Sequence, residues 1–162
     1  MKDQEWMERA LELAGKAASE NEIPVGAIVV LEGEVIGEGY NSPISLCDPT
    51  AHAEIQAIRM ACKAVGNYRL PNATLYVTLE PCSMCAGAIV HARIGRVVYG
   101  ATEPKSGAVV SQGCFFDAPF LNHRVEVTEN VLSEQASVQL TTFFQMRREQ
   151  KKKLKELAKK SP

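Results

Sequence analysis

The stretch Ala73–Gly100, ATLYVTLEPCSMCAGAIVHARIGRVVYG, decides the architecture. Ala73 to Leu79 is a short run rich in β-branched and aromatic residues, which reads as a strand. Pro81 opens a helix to about Ala92, because the first turn of a helix tolerates proline. Arg96–Tyr99 returns as another strand. Working outward toward the N-terminus, Asp48 or Thr50 can cap a helix through about residue 64, which Gly66-Asn67 ends. Before it, Val25–Leu31 and Val35–Tyr40 flank the turn Glu32-Gly33-Glu34 and form a hairpin. Met7, Ala10, Leu11, Ala14, Ala17 and Ala18 recur at helical spacing over residues 3–20, and Asn21 to Pro24 stops that helix. Toward the C-terminus, about 101–123 is irregular and Val125–Val127 is a short fifth strand. Ser133 caps a last helix that runs into a lysine-rich tail. Strands alternating with helices after an opening hairpin predict an α/β fold, a three-layer α/β/α sandwich around a mixed five-stranded sheet. One domain is expected over 1–162, with about 150–162 as the end of the basic helix or a tail.

Composition fits that expectation. The chain has 162 residues, 46% apolar and 23% charged, enough to bury about two-thirds of its unfolded surface without staples. The longest strongly apolar run, Val25 to Leu31, is far short of the roughly 20 residues of a bilayer span, so no membrane partner is expected. The amphipathic first helix carries Asp3, Glu5, Glu8 and Glu12, unlike a secretory signal. Five cysteines, an odd number, do not suggest a disulfide framework, and a reducing, cytoplasmic compartment is expected.

The net charge of −1 hides an asymmetry. Residues 145–162 hold eight Lys or Arg against two Glu, net +6, so the rest of the chain carries −7. From charge alone a solvated helix end explains this; a polyanionic partner at one end of the molecule is the alternative.

Two short pieces carry chemistry: His52-Ala53-Glu54 and Pro81-Cys82-Ser83-Met84-Cys85. Cys82 and Cys85 are three apart, so they share a helix face, near a helix N-terminus that favours the thiolate. The CxxC lacks the preceding Trp and the internal Gly-Pro of thioredoxin-type redox pairs. One imidazole and two thiolates suit zinc, and three protein ligands leave a position for water, as catalytic sites do. Cys47, Cys62, Cys114, His91 and His123 have no spacing that marks a fourth ligand. Two thiolates neutralise Zn²⁺ and weaken it as a Lewis acid, so a proton acceptor is needed, and Glu54 is placed for that role. His52 and Glu54 would diverge on a regular helix; an irregular first turn could bring both to one cavity.

H-x-E followed by P-C-x-x-C is the signature of zinc-dependent nucleoside deaminases. The chain resembles the bacterial tRNA-specific adenosine deaminases more closely than that superfamily signature requires. The resemblance rests on Ile23–Ala27 (IPVGA), Gly39–Asn41 (GYN), Asp48–Glu54 (DPTAHAE), Asn67–Leu70 (NYRL) and Thr74–Cys85. It continues through Arg93–Ala101, Lys105–Gly107 (KSG), Asn122–Arg124 (NHR) and Phe143–Arg148 (FFQMRR), covering about residues 5–150. It implies the cytidine-deaminase fold, a homodimer, one zinc per chain, and conversion of adenosine to inosine at the wobble position of a tRNA anticodon stem-loop. His52, Cys82 and Cys85 would hold zinc, zinc-bound hydroxide would attack C6 of adenine, and Glu54 would shuttle protons. Asn41 would read the base, although loop asparagines more often bond their own backbone. Leu79, Glu80 and Ala101 would line the pocket. Glu103 and Lys105 would hold the nucleotides around the flipped base, with Glu103 standing where relatives more often have Asp. His123 and Arg124 would contact the anticodon backbone or serve as buried anchors. Of the adjacent Phe143 and Phe144, one belongs to the core, and Phe144 would meet RNA. Arg147, Arg148 and the lysines beyond would meet phosphates. Ser111–Pro119 (SQGCFFDAP) departs from the family pattern, and Phe115-Phe116 could serve dimer or core packing.

Two other readings are open. A deaminase of free bases or nucleotides would share the fold, but has no need of the basic C-terminal helix. A non-catalytic zinc-stabilised RNA-binding module would have no use for Glu54.

Overall fold

The computed structural model describes residues 2–160; the expected domain's end residues Met1, Ser161 and Pro162 lie outside the described residues. Ten elements follow in order. They are α1 (Asp3–Ser19), β1 (Gly26–Leu31), β2 (Glu34–Tyr40), α2 (Ala53–Val65), β3 (Thr74–Leu79), α3 (Ser83–His91), β4 (Arg96–Ala101), a 3₁₀ turn (Phe115–Asp117), β5 (Glu126–Thr128) and α4 (Ser133–Lys160).

The strands form a mixed five-stranded sheet in the order β2-β1-β3-β4-β5. The hairpin β1–β2 and the pair β1–β3 are antiparallel, whereas β3–β4 and β4–β5 are parallel. Alternation along the strands divides the core. Val29, Leu75, Val77, Val97 and Tyr99 face α2 and α3, while Ile28, Val30, Tyr76 and Val98 face α1. α4 packs beside α1, completing the second helical layer. This is the expected three-layer α/β/α arrangement.

Most boundaries fall within two residues of the sequence reading. The start of α2 is the exception. The helix begins at Ala53 with His52 as its N-cap, not at Asp48 or Thr50. The Asp48 carboxylate instead accepts from the Thr50 amide (2.9 Å) and hydroxyl (2.7 Å), closing a local turn one step earlier. α4 starts at Ser133 itself and stays helical to Lys160, a rod of about 42 Å at 1.5 Å per residue. Phe116 is buried and Phe115 packs against the same core, so this pair serves core packing.

Two glycines set how closely α2 lies on the sheet. A Cβ at Gly37 would sit 2.2 Å from the Ala57 carbonyl, and one at Gly39 would sit 2.6 Å from the Ala53 carbonyl. Only glycine permits this approach, and it fixes the level at which the N-terminus of α2 emerges.

At the far end of the sheet, α1 is tied to β4. The Arg96 guanidinium donates to both Asp3 carboxylate oxygens, at 3.0 and 2.6 Å, and to the Thr128 hydroxyl. The Tyr76 hydroxyl donates to the same carboxylate at 2.7 Å. Arg96 holds the Asp3 carboxyl below its ordinary value of 3.8 against the opposing effect of burial, with Tyr76 assisting. A carboxyl depressed on folding stabilises fully above its unfolded value, and that contribution is lost as pH falls through the folded one. Asp3→Asn is therefore expected to cost about 1 kcal/mol at pH 7. The gap to wild type should shrink progressively as pH is lowered from 3.8, measured by denaturant melts of both proteins across pH.

Candidate metal centre and its cavity

The two chemistry-bearing pieces lie at the N-termini of α2 and α3. His52 and Cys82 occupy equivalent positions. Each is the N-cap of its helix, with extended backbone (φ −73°, ψ 156° and φ −77°, ψ 175°), and neither side chain caps its helix. N-caps are usually small polar residues that bond back onto the helix. Here both side chains are left free to face each other across β3. Cys85 lies one turn into α3 and is fully buried. Because His52 precedes the helix and Glu54 is inside its first turn, the two do not diverge, and both line one cavity.

The His52 Nδ1 lies 3.6 Å from the Cys82 sulfur and 3.5 Å from the Cys85 sulfur, and all three ligand atoms fall within 4.8 Å of one another. Zinc–sulfur and zinc–nitrogen bonds of about 2.3 and 2.05 Å at tetrahedral angles require N···S separations of about 3.6 Å. Both N···S distances therefore fit a tetrahedral zinc ion. None of Cys47, Cys62, Cys114, His91 or His123 joins this group among the described residues.

Electrostatics distinguish the members. The hydrogen bond from the Cys85 thiol, aided by His52, outweighs burial and pulls the Cys82 thiol down to about 4. Cys85, which gives its proton to that bond and is buried, is pushed up. The thiolate of Cys82 in turn raises His52. Glu54 is 4% exposed, and burial pushes its carboxyl up, toward the range in which it can both take and return a proton.

The cavity has a volume of about 240 Å³, below the roughly 300–1,000 Å³ of sites for drug-sized ligands, and suits a single planar ring. Asn41, Leu79 and Glu80 lie in its wall with Glu103 and Phe144. The wall also contains Ile23, Val25, Ser106 and Leu140, which the sequence reading did not name as site residues. Leu140 and Phe144 are four apart on α4, so placing one at the cavity implies the other. A second cavity, lined by Lys105 and Arg148, shares Leu140 and Phe144 with the first.

Other expected residues lie elsewhere. Ala101 is buried at the end of β4, where its carbonyl accepts from the Glu80 amide at 2.8 Å. The His123 Nε2 donates to the Ile94 carbonyl at 2.7 Å, and neither His123 nor Arg124 lines the cavity. The Arg147 guanidinium lies over the ring of buried Phe143, 5.3 Å from its centroid. A larger groove of about 840 Å³ between α1, β2 and α2 contains none of the metal-capable group.

A sequence-family model described as MafB19-like deaminase matches residues 1–148. The chain is 56% identical over 158 residues to the tRNA-specific adenosine deaminase of Haemophilus influenzae, across 97% of this chain and 91% of that protein. It is 49% identical over 143 residues to the tRNA-specific adenosine deaminase of Agrobacterium fabrum, across 88% and 94%. A solved structure from work on A-to-I editing by tRNA:A34 deaminases at the wobble position of transfer RNA superposes with a TM-score of 0.82 at 49% identity, covering 84% of this chain and 99% of that one.

The ligand geometry gives a direct expectation. The purified protein should hold about one equivalent of a thiophilic divalent metal per chain, and Cys82→Ala or Cys85→Ala should each lower it to about a tenth or less. Elemental analysis of the three proteins, alongside their melting temperatures, checks this.

Proposed function

The chain belongs to the tRNA-specific adenosine deaminases, and we propose that it converts adenosine at the wobble position of a tRNA anticodon to inosine by zinc-dependent hydrolysis. The carrying observation is the convergence of His52, Cys82 and Cys85 at tetrahedral ligand distances beside a buried carboxyl, Glu54, in one base-sized cavity.

The reaction consumes one water and releases one ammonia. His52 Nδ1 and the sulfurs of Cys82 and Cys85 would hold the zinc ion, which would supply Lewis acidity to make water nucleophilic near neutral pH. Glu54 takes a proton from the attacking water and delivers it to the ring nitrogen beside C6. Ionised again, the same carboxylate takes the remaining hydroxyl proton from C6 and passes it to the amine, which leaves as ammonia while C6 becomes a carbonyl. Burial suits it to both directions, because its carboxyl is already raised. Asn41 presents an amide that both donates to and accepts from the purine edge. Ile23, Val25, Leu79 and Leu140 supply apolar walls that exclude water from the ring.

The RNA would lie along α4 and the loop after β4. Phe144 is 40% exposed at the mouth and offers a stacking face. Lys105 and Arg148 flank the adjoining cavity and would take phosphates, with Arg147 and the lysines beyond, while Glu103 accepts from a ribose hydroxyl. With Nε2 tethered to the Ile94 carbonyl, the His123 Nδ1 would be left as an acceptor for a ribose hydroxyl of the RNA backbone. A homodimer is part of the proposal, as the family resemblance implies. So is a cytoplasmic setting, supported by five free cysteines. Among the described residues no helix is long and apolar enough to cross a membrane.

An anticodon stem-loop with adenosine at the wobble position should yield inosine there alone, read by nucleoside mass spectrometry. Glu54→Gln should keep its zinc and lose activity by about a hundredfold to ten-thousandfold. Unchanged turnover by that variant would end the proton-shuttle assignment. Removing residues 149–162 should raise KM for RNA and flatten the salt dependence of binding by about one unit of slope for each phosphate no longer neutralised. Turnover of free bases should not rise in compensation.

A further inference from the structure

Residues 102–123 contain one 3₁₀ turn and no strand or longer helix, yet part of this segment, through Glu103 and Ser106, forms a wall of the cavity. What shapes it is Glu80. This glutamate is 3% exposed, between the last residue of β3 and the proline that opens the α3 turn. Its Oε2 accepts the backbone amides of Val109 (3.0 Å), Val110 (2.9 Å) and Ser111 (3.0 Å). Its Oε1 accepts the amide of Glu103 at 3.1 Å and the Ser111 hydroxyl. Three successive N–H groups converging on one oxygen make an anion-binding concavity out of plain backbone. Among the described residues no Lys or Arg pairs with this carboxylate, so the loop's own amides compensate its burial.

A carboxylate has about four lone-pair positions, and five donors already occupy this one, so none is left for a substrate. The packing is equally closed. A Cβ on Gly107 would lie 2.3 Å from the Glu80 Cδ and 2.5 Å from either oxygen. The loop is thus wound tightly around a single side chain. Further bonds tie the winding to the metal-bearing helix: the Ala108 amide donates to the Pro81 carbonyl at 2.9 Å, and Gly107 bridges to Cys82.

We infer that Glu80 is the positioning residue of the substrate wall: its carboxylate is the centre around which residues 103–111 are wound, and through that winding it holds Glu103 and Ser106 in register with His52 and Cys82. This rests on the function proposed above for the naming of the substrate, but not for the loop itself. Glu80 acts on RNA through Glu103 and does not touch it.

Glu80→Gln isolates the effect. The amide oxygen can keep the three amides of 109–111, while its NH₂ faces the Glu103 N–H, donor against donor. The expected result with the adenosine stem-loop is a KM raised about tenfold, with kcat changed far less and metal content kept. The double variant Glu80→Gln/Glu103→Ala should be no worse than Glu103→Ala alone, because both act on one contact. Amide hydrogen exchange at Val109, Val110 and Ser111 should accelerate in Glu80→Ala. Should Glu80→Gln fail to fold, Gly107→Ala drives a methyl into the same carboxylate without altering its charge, and carries the same KM expectation. A folded Glu80→Gln with unchanged KM, or effects of the two substitutions that multiply, would overturn the inference. If the wild-type protein makes no inosine, the proposed substrate fails. The exchange measurement then decides alone: faster exchange upholds the loop centre, and unchanged exchange at 109–111 refutes it.

Discussion

Everything at this site depends on bringing one imidazole from α2 to within bonding reach of two thiols from α3. These ligands are thirty and thirty-three positions apart in the chain, and β3 runs between them. A helix N-terminus can be aimed only if the rest of the helix is fixed, so the whole length of α2 must be held at one depth and tilt. The bare backbone of Gly37 and Gly39 allows this, by letting α2 settle directly onto β2. α3 is held by burial of Ile89 and Val90 and by its short return into β4. The bulk of the sheet is in this sense a jig for two N-caps.

Using N-caps as ligands has an electrostatic benefit. The first turn of a helix presents unpaired N–H groups and the positive end of its dipole, which favour thiolate over thiol. At one such end Cys82 is held as thiolate chiefly by the Cys85 hydrogen bond with help from His52, while Glu54, in the first turn of the other helix, is kept protonatable by its burial. Two acids less than a helix turn from equivalent positions are thereby driven to opposite protonation habits. A hydrolytic deamination can use this division, with a thiolate to help hold a cation and a carboxyl that exchanges a proton.

The layered fold and the metal-capable triad were legible in the sequence because each rests on residue type. Strand runs, helix breakers and an H-x-E…P-C-x-x-C pattern state their chemistry without reference to neighbours. What was less legible depends on backbone shape. Nothing in the pattern says that His52 precedes its helix, because the Asp48–Thr50 turn ahead of it looks equally like a cap. Glu80 reads as a pocket residue only through the family resemblance; by position alone it reads as strand-end packing. Its partners are backbone amides of a loop without regular structure, which no side-chain pattern records. His123 is similar: a ring that suggests RNA is bonded to the Ile94 carbonyl, and only the folded chain brings the two together. The Phe115-Phe116 pair, which departs from the family pattern, belongs to the core, since burial is decided by what the loop wraps over.

The edges of the sheet have a consequence of their own. At one side lies β2, interrupted by a register shift against β1 and carrying exposed Glu34 and Glu38. At the other lies β5, only three residues long. Inserted residues, charges and brevity are the devices by which β-proteins discourage strand-to-strand recruitment. This sheet therefore discourages growth at both sides. Association with another molecule is favoured through helices and loops, where contact is made by side chains that can be chosen, over backbone ladders that would accept any strand.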